Sequence, residues 1–418
     1  MKWWFRQELY VKILIGIICG LALGFLVGKE VSFIMKPIGE AFLRLLKMLI
    51  APVVFFTIVS GITKMESVSN LRSVGGKLLL YYFITSVISV AIGLGIALVI
   101  NPGKELVGFL GVSAETVKKS DFNFINNMLT WIPVNPFESL AKTDVMQILF
   151  FSVFLGTVLL ILGSRVEKIT HIFEEASTIV LKITDAVMMF SPYGIMALIS
   201  ELVQSMSGQT LAEVGKFILA DYVALAIVCI IVYSVQLKLM SKINVLKFFK
   251  AIVPSILVAA STTSSAATLP INLNVAEKNL KLPEKIYGFG LTIGSSVNSN
   301  GMAVALGVII VFSANIYGLE LTLPFILKFG LVGVLLSMGT AGVKGAGIVL
   351  SSVILDTMGL PLTVVPLFAA IWPIIDIGHT TVNVVGDMVG VTLIAAREGE
   401  MDVEAFNNAD SYEISKDK

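Results

Sequence analysis

Long apolar stretches separated by short polar segments run through nearly the whole chain, and each predicts a membrane-spanning helix. A helix needs about 20 apolar residues to cross the roughly 30 Å hydrocarbon core of a bilayer. Eight stretches approach or exceed that length, and the fourth is long and interrupted; they cover residues 11–28, 38–63, 77–101, 123–163, 168–205, 210–238, 284–317 and 361–396. The pattern therefore predicts an all-α membrane protein with eight transmembrane helices.

Two more apolar segments, 247–276 and 322–358, are each broken in the middle by small polar or flexible residues. The first break covers 260–270 (ASTTSSAATLP) and the second covers 337–347 (SMGTAGVKGAG). Non-helical backbone at membrane depth is tolerated only where it is buried in protein or lines a cavity. The breaks therefore predict the tips of two re-entrant helical hairpins in an inverted repeat. A pair of ordinary helices with Ser and Gly packing faces is the alternative.

A stripe of polar side chains lies inside the last apolar stretch. At about 100° per residue its members share a sector of about 100° on one helix face; they are Asp376, His379, Thr380, Asn383 and Asp387. Ionisable groups at bilayer depth are costly and usually face a binding site or an aqueous path. The stripe therefore indicates a carrier that moves a small polar solute together with ions.

Composition and charge support this interpretation. Of 418 residues, 56% are hydrophobic and 14% are charged, against roughly 25% charged in a globular domain. The mean hydropathy is +0.91, and the net charge of +1 lacks the basic excess that nucleic-acid binding requires. Lys and Arg concentrate in alternate loops, near 2–12, 64–77, 165–168 and 238–250. This predicts cytoplasmic termini, a first hairpin that enters from the cytoplasm and a second that enters from outside.

The span 284–317 carries an uncharged polar centre, residues 294–302 (GSSVNSNGM). Glycine with Ser and Asn at this depth predicts a local unwinding of the helix. Free carbonyls, together with Asn and Asp oxygens, suit a hard cation such as Na⁺ that has lost its water. Asp387 is the natural anionic ligand, and a Ser/Asn packing cluster is the alternative.

Asp376 is expected to pair with a substrate ammonium group. The only other titratable groups near it in sequence are His379 and Asp387. A carboxylate without a fixed cation is better explained by a transient one, and an internal salt bridge is the alternative. Asp185 and Asp221 are expected near the membrane interfaces.

These segments resemble the dicarboxylate/amino acid:cation symporter family, the prokaryotic homologues of glutamate transporters, over nearly the whole chain. The resemblance rests on both breaks and on the stripe, and also on 36–52 (KPIGEAFLRLLKMLIAP), 81–86 (YYFITS) and 132–137 (IPVNPF). It implies a homotrimer in the lipid bilayer that works as an elevator. The scaffold would cover about 8–70 and 105–205, the moving transport domain about 75–104 and 208–398, and a cytoplasmic tail 399–418.

The resemblance also implies a ligand set for the substrate and for each cation. The hairpins would cradle the substrate carboxylate through Ser264, Ser265, Val343 and Gly347, while Asp376 would bind the amino group beside Thr380 and Asn383. One Na⁺ would be bound by the carbonyls of Gly294 and Asn298 together with Asn383 and Asp387. A second would be bound by Ser296, Ser299, Ser337, Met338 and Thr340, and a third by Tyr82, Thr85, Ser86 and Asn298 with the Asn300 position.

The chain departs from the family pattern at several of these positions. Asn300 replaces an Asp, which removes a charge from the third cation site, and Ser299 and Met302 replace a Met and a Thr near the substrate. His379 stands where carriers of acidic amino acids have an Arg, and Trp372 replaces the Asp that supports that Arg. Lys344 stands in the second hairpin where Pro is common.

These departures favour a small neutral or polar amino acid as the substrate. Arg is a permanent cation with a planar fork for a carboxylate, whereas an imidazole with an ordinary pKa near 6.5 is mostly neutral above neutral pH. Lys344 could supply the missing charge, so an acidic amino acid or C4-dicarboxylate, carried with Na⁺ or protons, is the alternative. We expect a Na⁺-coupled symporter of the inner membrane, without an organic cofactor or enzymatic activity. A channel or a receptor-like binding module on the same scaffold remains open.

Overall fold

The computed structural model describes residues 9–26, 32–63, 75–107, 129, 132–202, 208–338 and 346–408. This part of the chain is almost entirely helical and contains no strand. The helices are α1 Leu9–Leu26, α2 Ser32–Thr63, α3 Gly76–Ile100, α4 Pro136–Lys142, α5 Val145–Leu162, α6 Glu167–Leu202, α7 Gly208–Ala226, α8 Tyr233–Ser241, α9 Val245–Ala251, α10 Val253–Thr262, α11 Ser265–Lys278, α12 Glu284–Val297, α13 Asn300–Ile316, α14 Leu323–Met338, α15 Ala346–Thr357, α16 Val365–Arg397 and α17 Val403–Asn408. A π-helical segment, Ile227–Val232, joins α7 to α8.

Several of these helices are long and apolar enough to cross a membrane. Among the described residues, six segments meet this condition: Phe33–Thr63, Gly76–Ile100, Gln147–Val187, Thr210–Ser241, Glu284–Ile316 and Leu362–Arg397. The bent pair α9 and α10, with an angle of 53° between them, makes a seventh if it is one span. The helices coincide with the predicted apolar stretches, and the number of crossings stays a prediction.

The fourth predicted span, 123–163, is described at 129 and from 132 onward, where it consists of two helices. Asn135 caps α4, because its side chain accepts hydrogen bonds from the backbone N–H groups of Phe137 and Glu138. Thr143 ends α4 in a left-handed conformation, with φ of 57°, and Asp144 caps α5. The predicted interruption is therefore present, because α4 ends at Thr143 and a new helix, α5, begins after Asp144.

Both predicted breaks separate two helices that pack against each other. In the first, α10 ends at Thr262, Thr263 is left-handed with φ of 48°, and the Ser264 side chain caps α11. In the second, α14 ends at Met338 and α15 begins at Ala346, and the intervening tip, 339–345, lies outside the described residues. The helix pairs are confirmed, whereas their re-entry on one side of a membrane stays a prediction.

The predicted unwinding of the span 284–317 is also confirmed. Helix α12 ends at Val297 and α13 begins at Asn300, with Asn298 in an extended conformation between them (φ of −82°, ψ of 109°). Asn298 and Ser299, the two residues at the break, are 1% and 3% exposed. Irregular backbone is thus enclosed by protein, as membrane depth requires.

The helices pack in two groups. Helices α1, α2, α5 and α6 pack on one another, while α3, α7 and α14–α16 surround α13, with α10–α12 against α16. Contacts of α16 with α1 and α6, and of α15 with α2 and α5, join the groups. The division of the chain into a scaffold and a moving transport domain stays a prediction.

Three lysine side chains join the starts of other helices to the segment that follows α16. Lys77 at the start of α3 lies 2.5 Å from Glu398 after α16, and Lys285 at the start of α12 lies 2.5 Å from Glu400. The Lys247 ammonium donates to the Asn407 carbonyl at 2.5 Å, which ties α17 to α9. Lys77, Lys247 and the residues that follow α16 therefore lie together, and their position on the cytoplasmic side stays a prediction.

A buried carboxylate joins helix ends elsewhere in the fold. Glu213 in α7 accepts a hydrogen bond from the Gly103 N–H at 2.5 Å and contacts the Lys216 ammonium at 2.6 Å. Gly103 has φ of 84°, a conformation that side-chain-bearing residues rarely adopt. Asn315 of α13 donates to the Pro102 carbonyl at 2.9 Å. These contacts hold the ends of α3 and α13 beside the start of α7.

Candidate functional site

The predicted polar stripe lies along the middle of α16 and faces two different neighbours. His379, Thr380 and Asp387 are buried, and Asp376 and Asn383 are half-buried. His379 faces α7, because it contacts Asp221. Asn383 and Asp387 face the break between α12 and α13, where they contact Gly301 and Asn298. The stripe thus joins the broken helix to α7.

Asn298 and Asp387 form the centre of the candidate cation site. The Asn298 side-chain N–H donates to Asp387 Oδ1 at 2.8 Å and to the Asn383 carbonyl at 2.9 Å. Asn298 Oδ1 and Asp387 Oδ2 are both buried and have no partner among the described residues. Buried oxygens without partners are destabilising. Oxygen ligands that include one carboxylate are what a hard cation prefers, so these residues fit Na⁺.

Gly294 allows this site to form. A Cβ atom at this position would lie 2.5 Å from Asp387 Oδ1 and 2.7 Å from the Tyr82 hydroxyl. Any side chain would therefore displace the carboxylate. The structure brings together Gly294, Asn298, Asn383 and Asp387, the four residues that the family resemblance assigns to one Na⁺.

The residues expected at a third cation site also lie together, but protein partners already occupy the Asn300 amide. Asn300 Oδ1 accepts from the Ser86 hydroxyl at 3.2 Å, and its N–H donates to the Tyr233 hydroxyl at 2.9 Å. Thr85 donates to backbone carbonyls of its own helix, α3. The Tyr82 hydroxyl donates to the Gly290 carbonyl at 3.3 Å.

The set expected at the remaining cation site is only partly described. Ser337 is fully buried and donates to the Val334 carbonyl of its own helix at 2.8 Å. Ser299 is buried, and Ser296 and Met338 are half-buried. Thr340 lies outside the described residues. This site stays a prediction.

The substrate residues from the hairpins are likewise described in part. Ser264 accepts a hydrogen bond from the Ala267 N–H at 3.3 Å, and Ser265 is buried in the first turn of α11. Val343 and Lys344 lie outside the described residues. Gly347 is buried against the Trp372 ring, and Met302 is buried in α13.

The contact of His379 is one that sequence reasoning missed. Both carboxylate oxygens of Asp221 lie 2.9 Å from His379 Nε2, and the two side chains are 0% and 1% exposed. The expected position of Asp221 near a membrane interface stays a prediction, whereas its side chain is fully enclosed between helices. The sequence did contain a signal for this contact: Asp221 is a single carboxylate within an apolar stretch, as Asp387 is.

Comparisons with known proteins agree with the resemblance. The model of the sodium:dicarboxylate symporter family matches residues 9–397. The chain is 28% identical to the proton/sodium-glutamate symport protein of Geobacillus stearothermophilus, over 94% of this chain and 95% of that protein. It is 28% identical to the C4-dicarboxylate transport protein of Bacillus subtilis (95% of each chain). It is 27% identical to the L-cystine uptake protein TcyP of Bacillus thuringiensis (97% of this chain and 92% of that protein).

The family match extends over nearly all of the described helices, and each of these relatives is similar over more than nine tenths of its length. Family and relatives are transporters and not enzymes. The chain is therefore a multi-pass membrane protein that belongs to the sodium:dicarboxylate symporter family.

Proposed function

We propose that this protein is a Na⁺-coupled symporter of a small neutral or polar amino acid in the cytoplasmic membrane, working as a homotrimeric elevator. The observation that carries the cation coupling is the pair of buried oxygens on Asn298 and Asp387, which have no partner among the described residues. A cation would satisfy both oxygens and offset the buried charge of Asp387. Since the oxygens belong to α16 and to the break before α13, the cation would also join these two elements.

The substrate would lie beside this cation. Asp376 would bind its ammonium group, with Thr380 and Asn383 adjacent on the same face of α16. The Asn383 side chain accepts from the Gly301 N–H at 2.7 Å, so it couples the substrate face to the broken helix. The two hairpins would supply Ser264, Ser265, Val343 and Gly347 around the substrate carboxylate.

A neutral side chain is favoured by the surroundings of His379. Its neighbour Asp221 is a carboxylate at 2.9 Å. A protonated His379 and an ionised Asp221 sum to zero charge, and a neutral His379 leaves a negative sum. Neither state offers the net positive charge with which an Arg would hold an acidic side chain.

Transport by purified protein in proteoliposomes tests the proposal. Uptake of L-serine, L-threonine or L-alanine should require an inward Na⁺ gradient and should fail with K⁺ alone. L-aspartate should compete weakly. Uptake that follows a proton gradient without Na⁺ would contradict the coupling, and passive flux without any gradient dependence would indicate a channel. Binding without uptake would indicate a receptor-like module.

A second candidate function is symport of an acidic amino acid or a C4-dicarboxylate, with Na⁺ or protons. It is favoured by Lys344 at the second break and by relatives named for glutamate and C4-dicarboxylate transport. In the same assay, L-aspartate or succinate would then outcompete L-serine, and Lys344→Gln would remove that advantage.

A further inference from the structure

Asp221 of α7 lies outside the expected substrate site but contacts His379 of α16, which belongs to that site. We propose that Asp221 is a positioning residue that determines specificity: it cancels the charge of His379 and fixes its ring, so that the site accepts an uncharged polar side chain. This inference rests on the proposed function, because it concerns the substrate class of the same site.

The geometry fixes which nitrogen of His379 is free. Asp221 accepts at Nε2, where both of its oxygens are 2.9 Å away. An ionised carboxylate only accepts hydrogen bonds, so Nε2 carries a proton. The Nδ1 atom is buried and has no partner among the described residues. It is the nitrogen that remains available to a ligand.

A second nitrogen without a described partner belongs to the neighbouring ring of Trp372. Trp372 is 2% exposed, and its Nε1 also has no partner in the described part of the chain. The rings of Trp372 and His379 have centroids 5.5 Å apart. Buried indole N–H groups usually find an acceptor. Two buried ring nitrogens without a partner among the described residues therefore indicate a polar group that this part of the chain does not supply.

The Trp372 ring lies against α15, the second helix of the second hairpin. A Cβ atom on Gly347 would lie 1.6 Å from the Trp372 ring, so the start of α15 rests directly on the indole. On the other side, the Tyr222 hydroxyl donates to the Ile374 carbonyl at 2.6 Å and holds α7 against α16. The Asp221 contact is thus part of a fixed interface between α7 and α16.

Stability alone does not account for the pair. Replacing a buried ion pair by apolar side chains of similar size is often neutral or stabilising. An ionised Asp221 instead adds one negative charge beside His379, at 2.9 Å from Nε2. In a dry site this acts strongly against a second carboxylate and leaves hydroxyl and amide groups unaffected.

Asp221→Asn tests the charge while it keeps the shape of the side chain and an oxygen for the Nε2–H. The readout is the ratio of the inhibition constants of L-serine and L-aspartate, measured by competition in Na⁺-driven uptake. Loss of the charge should shift this ratio toward L-aspartate by about tenfold or more. Asp185→Asn is the matched control, because Asp185 pairs with Lys182 and its side chain is 46% exposed; its ratio should not change.

Trp372→Phe tests the free nitrogens without altering Asp221. The KM for L-serine should rise relative to the KM for L-alanine by about fivefold or more, since a site built to bond a hydroxyl loses affinity when a partner is removed. The maximal rates should change equally for the two substrates. If Asp221→Asn does not fold, the KM ratio of Trp372→Phe tests the proposal instead.

The outcomes separate this inference from the proposed function. A folded Asp221→Asn protein with the wild-type ratio would overturn it, as would a Trp372→Phe protein with an unchanged KM ratio. If the wild type prefers L-aspartate but Asp221→Asn raises that preference further, the role of Asp221 stands and the proposed substrate class fails.

Discussion

At the scale of single residues, Asp387 is the group on which cation coupling depends. Its carboxylate is fully buried, and one oxygen has no partner among the described residues. Asp387→Asn should raise the Na⁺ concentration for half-maximal uptake by about tenfold or more, because losing a charged ligand in a dry site costs more than about 1.4 kcal/mol. Uptake at graded Na⁺ concentrations measures this change. Asp185→Asn provides the control, and an unaltered Na⁺ dependence would reject Asp387 as a ligand.

Asp376 makes the corresponding prediction for the substrate. It lies half-buried on the same face of α16, where it would bind the α-amino group of the substrate. Asp376→Ala should abolish the thermal stabilisation by amino acids in the presence of Na⁺, because a buried ammonium group needs a counter-charge. Near-native affinity in this variant would make Asp376 structural. Tightest binding by dicarboxylates without an amino group would favour the second candidate function.

At the scale of helices, the hairpin and the broken helix depend on close backbone approach. Gly347 has no room for a side chain, since its Cβ would overlap the Trp372 ring. Gly347→Ala should lower the apparent melting temperature and the uptake rate together, because overpacking costs about 1–3 kcal/mol. Gly95→Ala is the matched control, since a Cβ in that helix would meet no atom within 4 Å. Equal melting temperatures for the two variants would show that the contact is not tight.

The elements also show how much the sequence reveals. Apolar length and interruption predict the helices and the breaks near 263, 298 and 339–345, because helix propensity and capping act over a few residues. The break at Asn298 is confirmed at the predicted place. The caps on α4 and α5 likewise divide the span 123–163, which the pattern predicts to be interrupted.

At the scale of the whole molecule, the number of coupled ions follows from one neutral residue. The Asn300 amide is held by Ser86 and Tyr233, so a third cation would have to displace existing hydrogen bonds without gaining a carboxylate. We predict that fewer than three Na⁺ move with each substrate molecule. Reversal potentials measured in proteoliposomes at set Na⁺ and substrate gradients give this number. A value of three or higher would refute the prediction.

The sequence by itself determined the membrane class, the family, the helix positions and the polar stripe on α16. These features depend on composition, on period and on motifs, all of which are local. The resemblance also placed Gly294, Asn298, Asn383 and Asp387 in one set, and the structure brings them together.

Only the tertiary structure decided which distant side chains meet. Asp221 and His379 are 158 residues apart, and Asn300 and Tyr233 are 67 apart. Such pairs depend on the rotation and approach of packed helices, which no local pattern encodes. For this reason the sequence identified His379 as the unusual residue, while the fold showed that Asp221 contacts it.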